Sequence, residues 1–190
     1  MRFFGVFRYE LAYQARRVWA WLIGIALVAL TFQFMRVNYL EDAIYSELFL
    51  NSPFNMAGAT VFSGLLWLLT AGVIAGEAAA RDVTTGMHPL VYTAPVSKAE
   101  YLGGRFAAAF TINALLLAAV QAGILLAVYA PGVPPELIRP FRPAAHITQY
   151  VYIALINAFA ATAIQFALAT RTGRPMAAYF GSFLLFFTGF

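Results

Sequence analysis

Four stretches of this 190-residue chain, 18–35, 56–76, 106–130 and 147–169, contain no Asp, Glu, Lys or Arg. Each is long enough to cross about 30 Å of hydrocarbon as a helix rising about 1.5 Å per residue. Composition agrees: 62% of the residues are apolar and 11% charged, whereas soluble domains run near a quarter charged. The fold class this predicts is all-α, a polytopic membrane helix bundle. The first stretch is too long for the core of a secretory signal, and it leads into Arg36 and Asn38 rather than into a small-residue cleavage site, so it reads as an uncleaved span. The absence of cysteine excludes disulfides, thiolate metal sites and a thiol nucleophile.

The chain turns apolar again over 175–190, after Arg171 and Arg174, and reaches Phe190 without a polar flank. Sixteen residues fall short of a crossing, and a terminal carboxylate inside lipid is costly. The expectation is therefore four complete spans and a truncated fifth, in a single, incomplete transmembrane domain over 1–190 that forms the N-terminal part of a longer polypeptide. Ahead of the first span, Phe3, Phe4, Phe7 and Leu11 are mixed with Arg2, Arg8, Glu10, Arg16 and Arg17. Aromatics and arginines at helical spacing suit an interfacial helix over 2–16; the alternative is a cationic leader of no fixed orientation.

Basic residues set the orientation. Arg2, Arg8, Arg16, Arg17, Arg81, Lys98, Arg105, Arg171 and Arg174, nine of the twelve, fall on one side of the spans, and only Arg36, Arg139 and Arg142 on the other. Lys and Arg are retained on the cytoplasmic side in short loops, which puts the N-terminus inside. The first outer loop is the acidic one, with Glu41, Asp42 and Glu47, and the second, 131–143, holds five prolines and reads as a stiff, non-helical strap.

The inner loop between the second and third spans is the most informative segment. Glu77 and Arg81 are four apart in the favoured acid-first order for a helical ion pair, so the second helix should continue past the bilayer until Gly86 and Pro89 break it. Ser97 and Glu100 have capping-box spacing, with Val96 and Tyr101 placed for the hydrophobic staple. A new helix should start at Ser97, bend at Gly103-Gly104 and run into the third span. Between the two lie His88, Pro89, Tyr92, Pro95 and Val96. Apolar side chains in such a loop need something to pack on: a docked cytoplasmic partner, or the loop's own helices and the membrane interface.

These residues carry a resemblance. Gly76-Glu77, Arg81-Asp82 and Thr85-Gly86, the block from Leu90 through Pro95-Val96-Ser97-Lys98, and Tyr101-Leu102-Gly103-Gly104-Arg105-Phe106 resemble ABC-2 type transporter permeases. Phe7-Arg8-Tyr9-Glu10-Leu11 and Trp19 suit the same family. Pro140-Phe141-Arg142-Pro143, Asn157-Ala158-Phe159 and Phe166 through Arg171 resemble the subgroup fused to a zinc aminopeptidase-like domain. The resemblance implies an exporter subunit of the bacterial plasma membrane that pairs with a second permease half, as homo- or heterodimer, and docks an ABC ATPase through a coupling helix in this loop. Carried onto this chain, the coupling region is 84–101 with the preceding helix end: Arg81, Asp82, Thr85, Gly86, His88, Tyr92, Pro95, Val96, Ser97, Lys98, Glu100 and Tyr101. The re-entrant helices and last span that normally come after the fifth are missing.

Inside the spans, Asn113 and Gln121 are eight apart, as are Asn157 and Gln165, and each pair shares one helix face. They could line a substrate path; hydrogen bonding between neighbouring helices is the simpler reading, since no ionisable residue marks an ion pathway. Gly72 and Gly76 form a GxxxG motif that favours close helix packing. No catalytic constellation is visible: His88 and His146 fall on opposite sides, neither belongs to an HExxH, and there is no phosphate-binding G-x-x-x-x-G-K-[ST]. The expectation is a non-enzyme with no cofactor, no metal and no nucleic-acid partner, drawing ATP hydrolysis from another chain. The rival reading is a membrane anchor for a downstream peptidase domain, without transport by this fragment. A third is a structural membrane protein or a gene remnant.

Overall fold

The computed structural model describes residues 2–46, 49–93 and 95–188; Met1, Glu47, Leu48, Ala94, Gly189 and Phe190 lie outside the described residues, as do the side chains of Ser46, Val91 and Tyr92. Among the described residues every regular element is helical: α1 (Arg2–Ala15), α2 (Val18–Phe34), α3 (Leu40–Ser46), α4 (Pro53–Thr84), α5 (His88–Thr93), α6 (Lys98–Tyr129), α7 (Pro143–Gln149), α8 (Ile156–Thr172) and α9 (Met176–Thr188). Four continuous helical stretches, Val18–Tyr45, Pro53–Thr84, Lys98–Tyr129 and Pro143–Thr172, are long and apolar enough to cross a membrane. α9 is apolar but shorter.

The first of these does not stop at Met35, where the apolar run ends. A π-helical segment, Met35–Tyr39, joins α2 to α3 without a break. The polar residues beyond Met35 are accommodated along the helix: Asn38 Nδ2 donates to the Phe34 carbonyl at 3.0 Å, and Arg36 Nη2 reaches the Pro131 carbonyl at 2.7 Å. A second π-helical segment, Tyr150–Leu155, joins α7 to α8. That helix begins at Pro143, whose missing N–H costs nothing in the first turn, so the helix starts ahead of the apolar run it carries. The proline-rich strap is not wholly irregular, since Pro135–Leu137 forms one 3₁₀ turn.

The core is largely apolar, but it also takes in polar side chains while many large apolar ones face outward. Thr31, Thr60, Ser63, Asn113, Thr162, Gln165 and Ser182 are buried, while Trp21, Leu22, Ile25, Leu115, Ile156, Phe180 and Phe183 are exposed. In lipid there is no hydrophobic penalty for large apolar side chains facing outward, and polar side chains are best satisfied against neighbouring helices. α1 obeys the same rule: Glu10 and Gln14 are buried, Phe4 and Tyr9 exposed. The protein is a multi-pass helical membrane protein by this architecture.

The chain forms two compact units. The first contains α1, α4 from Leu68, α5, α6 as far as Leu115, α8 from Ala158, and α9. Here the GxxxG of α4 finds its partner in α9. A Cβ at Gly76 would lie 2.8 Å from the Pro175 carbonyl oxygen and 2.9 Å from Ala178 Cβ, and one at Gly72 would meet Ser182 Oγ and the Ala178 carbonyl. Only a hydrogen side chain permits this approach. Asn113 Nδ2 donates to Thr162 Oγ1 at 3.0 Å, and Gln165 Nε2 to Ser182 Oγ at 2.9 Å. Phe106 sits edge-on to Phe159 and Phe166, with centroids 5.6 and 5.7 Å away.

The second unit covers Leu22–Trp67 and Leu116–Asn157. Thr31 Oγ1 donates to Ser63 Oγ at 2.8 Å, Gln121 Nε2 to Thr60 Oγ1 at 3.0 Å, and Phe34 stacks on Phe62. Its loops are clasped by Asn51, which donates to the Arg139 carbonyl at 2.7 Å and accepts from the Arg139 N–H at 2.8 Å. Leu50 N–H adds a bond to the Leu137 carbonyl at 2.9 Å. Asn157, placed on a common face with Gln165 by spacing, is exposed.

Candidate functional site

The segment between α4 and α6 is bounded by two well-formed helix ends. α4 closes on Gly86, whose φ of +71° is the left-handed conformation that glycine adopts without strain. Met87 N–H bonds the Asp82 carbonyl at 2.9 Å and Gly86 N–H the Val83 carbonyl at 3.2 Å, which is the Schellman pattern. α6 opens on the reciprocal capping box expected from the sequence. Glu100 N–H donates to Ser97 Oγ at 3.2 Å, and Ser97 N–H and hydroxyl donate to Glu100 Oε2 at 3.2 and 2.8 Å.

α5 lies between these ends and carries the segment's surface. Thr85, Gly86, Pro95, Ser97 and Lys98 are exposed, His88 and Val96 half-buried, and the apolar Met87 and Leu90 are 50% and 66% exposed. The Tyr92 side chain lies outside what the structure describes.

Beneath that surface is a cluster of charge that α1 completes. Arg81 spans both oxygens of Glu10, Nη1 to Oε1 at 3.0 Å and Nη2 to Oε2 at 2.7 Å. Arg105 Nη1 donates to Asp82 Oδ2 at 2.7 Å, and its Nε lies 3.5 Å from Glu10 Oε2. The Tyr101 hydroxyl donates to Asp82 and accepts from Arg105. Glu10 is 1% exposed and Arg105 2%. Glu10 and Arg105 are thus removed from water and Arg81 and Asp82 largely so, two acids against two guanidinium groups, the balance under which buried charge is tolerated. A second link has Arg17 paired with Glu77, with Tyr13 donating to Glu77 at 3.2 Å. Arg81 lies 4.0 Å above the Tyr13 ring.

The ion pair expected between Glu77 and Arg81 is therefore not the one that forms. Each takes a partner from the N-terminal segment, because α1 and the turn after it bring a carboxylate and a guanidinium within reach: Arg81 grips the buried Glu10 through two bonds, and Glu77 pairs with Arg17 in a partly exposed link. A pair along one exposed helix face contributes only about 0.2–0.5 kcal/mol. α6 runs through Gly103-Gly104 without a break. The glycines serve α1 instead: a Cβ at Gly104 would lie 3.0 Å from the Phe3 carbonyl oxygen and from Val6.

Of the residues singled out from sequence, Arg81, Asp82 and Tyr101 enter the buried cluster and Ser97 and Glu100 the cap, while Thr85, Gly86, Pro95 and Lys98 lie on the surface. Sequence reasoning passed over Glu10 and Arg105 as site residues. Their signal was present: Arg105 is the last charge before an uncharged run, and Glu10 sits among aromatics in a membrane-edge helix, positions where a charge needs a partner. No family model and no curated protein matches the chain.

Proposed function

We propose that this chain is a membrane-spanning permease subunit of an ABC-type exporter, which docks a separate cytoplasmic ATPase through α5 and its flanking turns and uses that subunit's ATP-driven movement to carry a substrate across a bacterial plasma membrane. The observation that carries the reading is the surface formed by Thr85, Met87, Leu90, Pro95 and Lys98, held at both ends by capped helices and underlaid by the Glu10–Arg81–Asp82–Arg105 cluster. An exposed apolar pair, Met87 and Leu90, suits a protein partner. Stiff helix ends pass a push on α5 into α4 and α6, and the ion pairs pass it to α1. The nine-to-three distribution of basic residues supports placing this element in the cytosol. A second permease half completes the transport path in this reading.

Replacing 95–98 with glycines removes the turn and the capping serine but leaves the apolar runs intact. The expected result is normal membrane insertion with loss of co-purifying ATPase. Retention of the ATPase at the level of the unaltered chain overturns the docking assignment and favours the membrane-anchor reading.

A further inference from the structure

The first unit contains two cavities that share the wall formed by Asp82, Tyr101 and Arg105. One, of about 520 Å³, is lined by residues of α1 together with Arg81 and Thr85. Its charged groups are Glu10, Asp82, Arg81 and Arg105, two of each sign. The other, of about 470 Å³, lies among the ends of α4, α6 and α8 and is lined by Val83, His88, Lys98, Leu102, Arg105 and Thr170 with Asp82. Its charged groups are Asp82 against Lys98 and Arg105, an excess of one positive charge.

Two residues in the wall of this second cavity carry buried polar atoms with no hydrogen-bond partner. Arg105 uses Nη1 on Asp82 and Tyr101 and leaves Nη2 without an acceptor; Thr170 Oγ1 lacks a partner as well. Leaving a buried donor unmet is costly, and a guanidinium N–H more so than a neutral one, so such atoms point to a missing acceptor. Their level in the chain is informative. Arg105 is the residue before the uncharged run 106–130, and Thr170 the residue after 147–169. Both therefore stand at an end of an uncharged run, the level at which a spanning helix meets lipid headgroups. The remaining wall is apolar, with Ala79, Val83 and Leu102 able to accompany an acyl chain.

We infer that this cavity binds the phosphodiester headgroup of an anionic membrane lipid, with the exposed Lys98 meeting the phosphate and a shift of the Arg105 and Thr170 side chains bringing Nη2 and the hydroxyl, closed off in the unliganded chain, to it. Basic pockets between spanning helices are suited to such headgroups. Asp82 does not oppose the ligand freely, because Arg105 and Tyr101 already occupy its Oδ2. The site requires only that the chain lies in a membrane, so it stands or falls separately from ATPase docking.

The test uses the full chain purified in a neutral detergent, with thermal unfolding followed as phosphatidylglycerol, phosphatidylcholine or inorganic phosphate is added. Saturable stabilisation by phosphatidylglycerol is expected, at concentrations at least tenfold below those at which phosphatidylcholine acts. Lys98→Gln and Thr170→Val, which leave the Glu10–Arg81–Asp82–Arg105 cluster in place, should each weaken the effect, about fivefold for the lysine. Arg105→Lys keeps a charge but loses Nη2, and serves as a third variant if it folds. Equal response to both lipids, or unchanged affinity in Lys98→Gln and Thr170→Val, overturns the proposal. Equal stabilisation by inorganic phosphate overturns the lipid assignment in favour of a soluble phosphate ligand.

Discussion

In the first unit Glu10, Arg81, Asp82 and Arg105 join three helices through ion pairs; in the second, Asn51, Thr31 and Gln121 join helices and loops through amides and hydroxyls. The ion pairs described above all lie in the first unit. The two solutions differ in how they fail. Removing one member of a buried ion pair strands its partner's charge, whereas removing one member of a neutral hydrogen bond in lipid releases a group that often finds another partner. The charged unit is therefore the brittle one. It is also the unit that contains the surface proposed for docking, and its ion pairs tie α1, α4 and α6 to one another.

The largest expected effect tests that brittleness. Glu10→Ala leaves Arg81 without its bidentate partner and Arg105 with Asp82 alone; it should cost about 3–5 kcal/mol, seen as a large fall in the unfolding midpoint of the purified protein. A change no larger than that of a neutral-bond variant would erase the distinction between the units. Asn51→Ala comes next. It deletes two bonds to the backbone of Arg139 and should cost about 1–2 kcal/mol, with faster proteolysis in 131–143 as the local readout. Smallest is Thr31→Val, which removes the bond to Ser63 while keeping the shape; a loss of about 0.6 kcal/mol is expected. Should Thr31→Val match Glu10→Ala, the neutral contacts are as unforgiving as the charged ones.

Local features of this fold were legible in the sequence because they depend on neighbours in the chain. The apolar runs, the Ser97–Glu100 box and the stop at Gly86 are all set by spacing within a few residues. What was not legible depends on packing between distant segments. Glu77 and Arg81 read as a pair because they are four apart, yet Arg17 and Glu10, 60 and 71 residues earlier, are the better partners. Gly103-Gly104 read as a bend because glycine weakens helices, while its use here is to admit the backbone of α1. The GxxxG in α4 announced close packing but could not say that α9 fills it. Arg36 and Asn38 read as the end of a span because side-chain polarity is visible in sequence and a π-helical continuation with local acceptors is not.

The inverted faces of α1 make the aromatic leader inseparable from the spans behind it. Its outward rings suggest a dispensable membrane float, yet its inward carboxylate is the counter-charge for arginines on two later helices. A version of this protein trimmed to begin at the first span would keep every apolar run intact and still leave Arg81 and Arg105 crowding Asp82, a deficit that neither lipid nor detergent can supply from its hydrocarbon.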